Sequence, residues 1–114
     1  MDEEEEKYIR ELRIIDDMFP NAKFIPSINL ENLDDIVSDK KEIIIKQNLT
    51  CYHYDNINKR PKYFTIKCRE NQSLTNKYIM TELIKQKMKI DCDHRFVEGF
   101  NHLNNNIYEI ITGS

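Results

Sequence analysis

Apolar residues near the start of the chain recur at spacings of three and four, which is the period of one face of a helix. The residues that form this stripe are Tyr8, Ile9, Leu12, Ile15 and Phe19. Neither glycine nor proline interrupts the segment from Glu3 to Met18, and Pro20 disfavours helical backbone at the residue before it. Asp2 is a suitable N-cap, and the glutamates after it complement the helix dipole. The pattern predicts an acidic amphipathic helix.

The stretch from residue 20 to residue 41 combines loop and helix signals. Pro20, Pro26 and several asparagines favour a loop. A short second helix, capped near Ser27 or Asn29, is predicted from the apolar residues Leu30, Leu33, Ile36 and Val37. We therefore divide the chain into an acidic helical N-terminal segment, residues 1–41, and a body, residues 42–114.

Two short stretches of the body have the pattern of strands. Residues 42–47 are rich in β-branched side chains. Residues 62–68 alternate, so that Phe64, Ile66 and Cys68 share one face. Residues 49–54 predict a further strand or a continuation past a bulge, and residues 55–61 predict a loop.

The second half of the body predicts a helix and then a hairpin. Ser73 or Thr75 is suited to cap a helix whose apolar face consists of Tyr78, Ile79, Leu83, Ile84 and Met88. Strands near residues 96–100 and 107–112 flank a turn of three asparagines. The fold class that we predict is α+β: a mainly antiparallel sheet of four to five strands with one helix packed on it, preceded by the acidic N-terminal helix.

The strand that includes Phe96 and Phe100 has an unusual pattern, because on a regular strand neither ring shares a face with Val97. Both faces would then be partly apolar, which is typical of a strand inside a sheet. By the same parity His94 and Glu98 would point to one side, where an imidazole and a carboxylate could pair.

Charge is distributed unevenly along the chain, although the whole carries a formal net charge of −3. Residues 1–39 hold twelve acids and four bases, whereas residues 40–114 hold eight acids and thirteen bases. The asymmetry indicates either a basic binding surface with an acidic appendage or an acidic segment that lies across the basic body and neutralises it.

Several function classes are disfavoured by the sequence. Only two glycines occur, so a glycine-rich phosphate loop is not expected. No apolar run approaches the roughly 20 residues of a membrane span. The acidic start and the odd number of cysteines favour reduced thiols in the cytoplasm. We predict a protein that is not an enzyme, has no cofactor and does not bind membranes.

Two short pairs have the residue types of a zinc site. Cys51 with His53, and Cys92 with His94, each place a thiol and an imidazole two residues apart, and the four together would make a Cys2His2 set. Common structural zinc modules instead separate their cysteines by two to four residues. We therefore expect no stoichiometric zinc, with small core cysteines as the simpler interpretation.

A basic stretch around the predicted strand at residues 62–68 is the candidate for nucleic-acid binding. Its residues are Lys59, Arg60, Lys62, Lys67 and Arg69. Tyr63 and Phe64 lie between them, and aromatic rings interleaved with bases can stack nucleobases and contact phosphates. Bases in a loop are also ordinary surface residues, and the domain as a whole is not strongly basic.

The run Cys92-Asp93-His94-Arg95-Phe96-Val97-Glu98-Gly99-Phe100, the helix before it and the ending Tyr108–Ser114 resemble short uncharacterised proteins of large nucleocytoplasmic DNA viruses, of the mimivirus and marseillevirus kind. The resemblance covers about the last 50 residues, with Val97 where leucine is usual. It implies a viral protein in the host cytoplasm or the virion, and it implies no activity.

These observations lead to three functional hypotheses. The first is a non-enzymatic protein that acts through protein–protein contacts, with an unidentified partner or as a homodimer, and that is related to the virion or to host interaction. The second is a nucleic-acid-associated protein that uses the basic stretch. The third is a zinc-binding domain built on the two Cys-x-His pairs.

Overall fold

The fold is taken from a computed structural model, which describes residues 2–48, 60–90 and 95–113. The strand predicted at residues 49–54 and most of the loop predicted at residues 55–61 lie outside the described residues. The described elements are, in chain order, α1 (Glu3–Met18), β1 (Ile25–Pro26), a 3-10 turn (Leu30–Asn32), β2 (Ile36–Ser38), β3 (Glu42–Gln47), β4 (Lys62–Lys67), β5 (Leu74–Thr75), α2 (Asn76–Lys85), β6 (Phe96–Asn104) and β7 (Ile107–Gly113). The α+β class is confirmed.

Helix α1 has the bounds that the sequence predicts. The carboxylate of Asp2 accepts a hydrogen bond of 2.8 Å from the N–H of Glu5, as an N-cap does. At the other end, the N–H of Phe19 donates to the carbonyl of Ile15 at 3.1 Å. Ile15 is the one residue buried within the helix, and Phe19 is buried directly after it.

The main sheet has five strands in the order β1-β6-β7-β3-β4. Two pairs, β3 with β4 and β6 with β7, are antiparallel, whereas β1 with β6 and β3 with β7 are parallel. The predicted number of strands is confirmed, and the sheet is mixed, so the prediction of a mainly antiparallel sheet is not exact. The parallel contact between β3 and β7 needs a long crossover, which the chain supplies through β4, α2 and β6.

The core lies on one face of this sheet. Ile43 and Ile45 on β3 and Ile66 on β4 are fully buried. From the two helices, the core takes in Ile15, Phe19, Ile79, Met80 and Leu83. The prediction of one helix packed on the sheet is therefore not exact, because α1 anchors its last turn in the same core as α2.

The short second helix predicted in the N-terminal segment does not form. Residues 30–32 make one 3-10 turn, and residues 36–38 form β2, which pairs with β5 in a second, two-stranded sheet. The carbonyl of Leu33 accepts from the N–H of Lys77 at 2.9 Å, and that of Asp35 accepts from Asn76 at 3.1 Å. These carbonyls cap α2 and are not used to continue a helix of their own.

Strand β6 contains a register shift that changes which side chains face the core. Val97 pairs with Thr112 and Gly99 pairs with Ile111, so Glu98 is the additional residue of a bulge. The bulge places Val97 and Phe100 on the core side together, and the prediction that they face opposite sides is wrong. In the strand order β6 lies between β1 and β7, although β1 pairs only with its first two residues, Phe96 and Val97.

Candidate functional site

Helix α1 presents an unusually large apolar surface for so acidic an element. Its large apolar side chains that remain exposed are Tyr8 at 63%, Ile9 at 37%, Ile14 at 44% and Met18 at 42%. All residues from Glu3 to Arg10 are exposed, so the first half of the helix stands clear of the body. The apolar stripe that buries Ile15 therefore continues past the body at Tyr8 and Ile9, whereas Ile14 and Met18 lie outside this stripe.

A small cleft marks where the body ends beneath the helix. Glu11, Leu12 and Ile15 line its helical wall, and Ser27, Ile28 and Asn29 line the opposite wall, with a cavity of about 60 Å³ between them. Tyr8 lies at the mouth of this cleft, about 6 Å along the helix axis from Leu12. The ring is thus at the border between the packed and the unpacked part of the stripe.

Among the described residues, no ion pair joins an acid of α1 to the body. From Glu3 to Met18 the helix holds seven acids and three bases, a formal net charge of −4. The ion pairs that join described residues are Lys67 with Glu42 and Lys85 with Glu82, neither of which involves the helix. Of the two interpretations of the charge asymmetry, the described part of the chain supports an acidic appendage.

The predicted basic stretch does not converge on one face. Lys59 lies outside the described residues. Arg60 and Lys62 lie at the start of β4, while Lys67 and Arg69 lie at its end, about 17 Å away along the strand. Lys62 pairs with the buried Gln47 on the core side, whereas Lys67 shares the outer side with Tyr63. The strand separates these bases instead of gathering them.

On the outer face of the sheet, basic side chains lie beside acidic ones. Lys46 lies between Tyr63 on β4 and Glu109 on β7, in register with both. The amide of Asn101 donates to the carboxylate of Glu109 at 3.1 Å, which completes a row across four strands. Two rows further along the same face, the ammonium of Lys67 lies 3.9 Å from the carboxylate of Glu42. Tyr63 is 57% exposed, but the charge around it is close to neutral.

Arg69 joins a different set of bases from the one that the sequence suggested. It lines a groove of about 450 Å³ along α2 together with Lys77 and Lys85, while Asp34 and Glu82 lie on the same groove. Lys77 and Lys85 are eight residues apart, about two helical turns, so their shared face could have been found from the sequence. The position of Arg69 could not, because it depends on the turn after β4.

A second polar cleft, of about 430 Å³, lies near the start of α2. Its lining combines amide, hydroxyl and carboxylate groups from Ser27, Asn29, Asn32, Asp35, Asn76 and Glu98. The backbone N–H groups at this helix start are already bonded: besides the two carbonyls described above, the hydroxyl of Thr75 accepts from Tyr78 at 3.1 Å. The confirmed Thr75 cap thus leaves the first turn of α2 without the donors that an anion would need.

The four predicted ligands of the zinc hypothesis lie outside the described residues. They are Cys51, His53, Cys92 and His94. Within the described ranges, no group of three or more His, Cys, Asp or Glu side chains converges as metal ligands would. The thiol of Cys68 donates to the carbonyl of Gln72 at 2.7 Å and is half-buried, as a structural cysteine is. The absence of stoichiometric zinc stays a prediction, which elemental analysis tests.

Two side chains cover the open side of β4, one within α2 and one directly after it. The amide of Gln86 donates to the carbonyl of Thr65 at 2.9 Å. The hydroxyl of Tyr78 donates to the carbonyl of Lys67 at 2.7 Å. Since exposed carbonyls of an edge strand can template pairing with another chain, these two side chains block that route at β4.

Comparison of the chain with protein-family models, with curated proteins and with solved structures gives no match. Neither of the two described helices has the length and apolarity required to cross a bilayer. The candidate site is therefore identified from the described surfaces of the chain. Of these, α1 is the one whose composition departs furthest from an ordinary solvated surface.

Proposed function

We propose that this chain is a non-enzymatic binding protein whose contact element is α1. The observation that carries the proposal is the group of exposed apolar side chains, above all Tyr8, on a helix whose buried anchors among the described residues are Ile15 and, directly after the helix, Phe19. An amphipathic helix laid into a groove of another protein is a common mode of recognition. Tyrosine is enriched among the residues that contribute most to such interfaces.

Burial of the exposed apolar side chains of α1 by a partner contributes to the free energy of binding. A large aliphatic side chain that is fully removed from water contributes roughly 1.5–3 kcal/mol. Ile14 and Met18 lie on one side of the helix, within about 120° of Tyr8 around its axis. Each retains more than a third of its exposure, so a partner on that side has apolar surface left to bury. The helix is already formed and capped, which limits the ordering cost of association.

Charge defines the chemistry of the partner. With a net charge of −4, α1 is attracted to a groove with an apolar floor and a rim of lysines and arginines. The same charge disfavours the pairing of α1 with another copy of itself. Association should then slow and weaken as salt is added, because exposed charges are screened over about 8–10 Å at physiological ionic strength.

The resemblance to proteins of large DNA viruses supports a virion or host protein as this partner, and the cytoplasm as the place of contact. The binding surface on α1 does not depend on a viral origin. The helix, its charge and its exposed side chains define the binding surface in any cell.

The test uses two tyrosines with nearly equal exposure. A photo-reactive phenylalanine analogue is placed at Tyr8 on α1 in one protein and at Tyr63 on β4 in the other, and both are irradiated in the native cell. Because the two side chains are 63% and 57% exposed, random collisions should label them alike. We expect a discrete cross-linked product from position 8 only. Equal labelling at both positions, or none at position 8, contradicts the proposal.

Nucleic-acid binding is a second candidate, and exposed Tyr63 supports it. The ring lies beside Lys46 and two residues from Thr65 on a face that also carries Lys67, an arrangement able to stack a base near two cations. Glu42 and Glu109 on the same face oppose it by repelling phosphates. This balance makes it the weaker of the two proposals.

A further inference from the structure

The two edges of the main sheet differ in how far their backbone groups are covered by other residues. Gln86 and Tyr78 cap the β4 edge, as described above. At the other edge, β1 pairs only with Phe96 and Val97, the first two residues of the nine-residue β6. Among the described residues, no strand pairs with the far side of the remaining stretch, residues 98–104.

This open stretch lacks the devices that usually prevent pairing between sheets. It contains no lysine and no proline, and Glu98 is its single charged residue. The carboxylate of Glu98 folds back across the sheet and occupies the place where a side chain at Gly113 would begin. The charge is thus directed over β7 and away from the open backbone.

From this contrast we propose that β6 pairs with β6 of a second copy of the chain, antiparallel and across a two-fold axis at Asn101. This register uses all seven open residues, and it joins the two sheets into one of ten strands. The section around the axis is regular, because the ladder from Gly99 to His102 lies between the two register shifts of β6. Pairing through the same strand on both copies closes the assembly at a dimer.

The residues that this register brings together are compatible. Leu103, which is 40% exposed, faces Gly99 of the second copy, where the Cδ1 of Ile111 lies 3.8 Å from the position that a Cβ would take and offers an apolar contact. Phe100 faces His102, and Glu98 faces Asn104, so no like charges meet. The backbone of each copy gains hydrogen bonds that water otherwise provides.

The proposal does not rest on α1, and its first test is the mass of the particle. Sedimentation equilibrium of the full chain should give a species of twice the monomer mass of 13.8 kDa. A mass of 13.8 kDa at every concentration at which the protein stays soluble overturns the dimer. That result leaves the labelling of Tyr8 unaffected, so the two proposals fail separately.

The second test locates the axis by cross-linking. In Asn101→Cys the two introduced thiols should lie directly opposite each other, with Cα atoms about 4.5–5.5 Å apart, which a disulfide can span. In the control Asn104→Cys the thiols should be about 20 Å apart, six residues along two antiparallel strands. Mild oxidation should cross-link the first variant well above the wild-type background of Cys51, Cys68 and Cys92, and leave the control at that background. Equal cross-linking of both overturns the register.

A matched pair of charge variants measures the interface itself. Asn101→Lys places two ammonium groups across the axis, and we expect association to weaken roughly two- to five-fold. Asn104→Lys places its ammonium opposite Glu98 of the second copy, and we expect association to be unchanged or tighter. Equal weakening by both variants contradicts the register at Asn101.

Discussion

The hydroxyl of Tyr78 on α2 donates a hydrogen bond of 2.7 Å to the backbone carbonyl of Lys67 on β4. It also accepts one of 3.2 Å from the N–H of Arg69. One phenol thereby fixes the end of the edge strand to the helix and closes the edge to other chains. Among the described strands, the long edge without a strand partner is then the far side of β6.

Tyr78→Phe removes this cap and leaves the ring in place. We expect the free energy of unfolding to fall by about 0.5–1.5 kcal/mol, the usual worth of a hydrogen bond. Tyr63→Phe is the control, because the hydroxyl of Tyr63 forms no hydrogen bond with the described residues. Urea denaturation of both variants measures the difference, and equal stability of the two would show that the Tyr78 bond contributes nothing.

The two neighbouring isoleucines of α1 separate anchoring from recognition. Ile15 is 4% exposed, so Ile15→Ala should lower the free energy of unfolding by about 2–5 kcal/mol. Ile14 is 44% exposed, and Ile14→Ala should cost well under about 1 kcal/mol. Ile14→Ala should nevertheless reduce the cross-linking from position 8, because it removes apolar contact surface. A large stability loss in Ile14→Ala would mean that this side chain is structural.

The bulge at Glu98 makes a specific prediction for β6. Phe96 pairs with Gly113, is half-buried and lies outside the core, whereas Val97 is fully buried. Phe96→Ala should therefore cost less than the about 3–5 kcal/mol of a buried phenylalanine. Denaturation of Phe96→Ala tests this, with Val97→Ala as the comparison. A cost of 3 kcal/mol or more for Phe96→Ala would contradict the position that the bulge assigns to its ring.

Local patterns in the sequence were sufficient for the elements whose hydrophobic period is regular. The cap at Asp2 and the β-branched run of β3 are local signals, and both α1 and β3 have the predicted bounds. The turn at residues 105–106 is also local, since Asn105 adopts the positive φ of 45° that asparagine tolerates.

The remaining features depend on contacts between distant residues. The parallel contact of β3 with β7 joins Ile44 to Ile107, and no local pattern encodes such a partner. The bulge in β6 is defined only by its register against β7, so parity counting along the sequence misplaced Val97. The sequence predicts the amphipathic stripe of α1 but does not mark it as a candidate site, because how far the stripe extends past the body depends on where the cleft beside Ser27 ends.

The outer face of the sheet gives a prediction for nucleic acid. Because Glu42 lies beside Lys67, Glu42→Gln should strengthen the binding of a single-stranded oligonucleotide at low salt. Glu31→Gln, on the 3-10 turn, is the control and should change binding less. Fluorescence anisotropy over a salt series measures both. Tight wild-type binding at physiological salt with a steep salt slope would instead favour the nucleic-acid hypothesis over α1.

The central claim, that α1 is the contact element, is tested most directly by amide hydrogen exchange of the chain alone and with the partner captured through position 8. In the free chain, amides of residues 6–10 should exchange faster than those near Ile15, because only the last turn is anchored in the core. Binding should slow exchange in residues 6–14 and leave the amides of β4 unchanged. Protection confined to β4 or another part of the body, with α1 exchanging as in the free chain, would contradict the account.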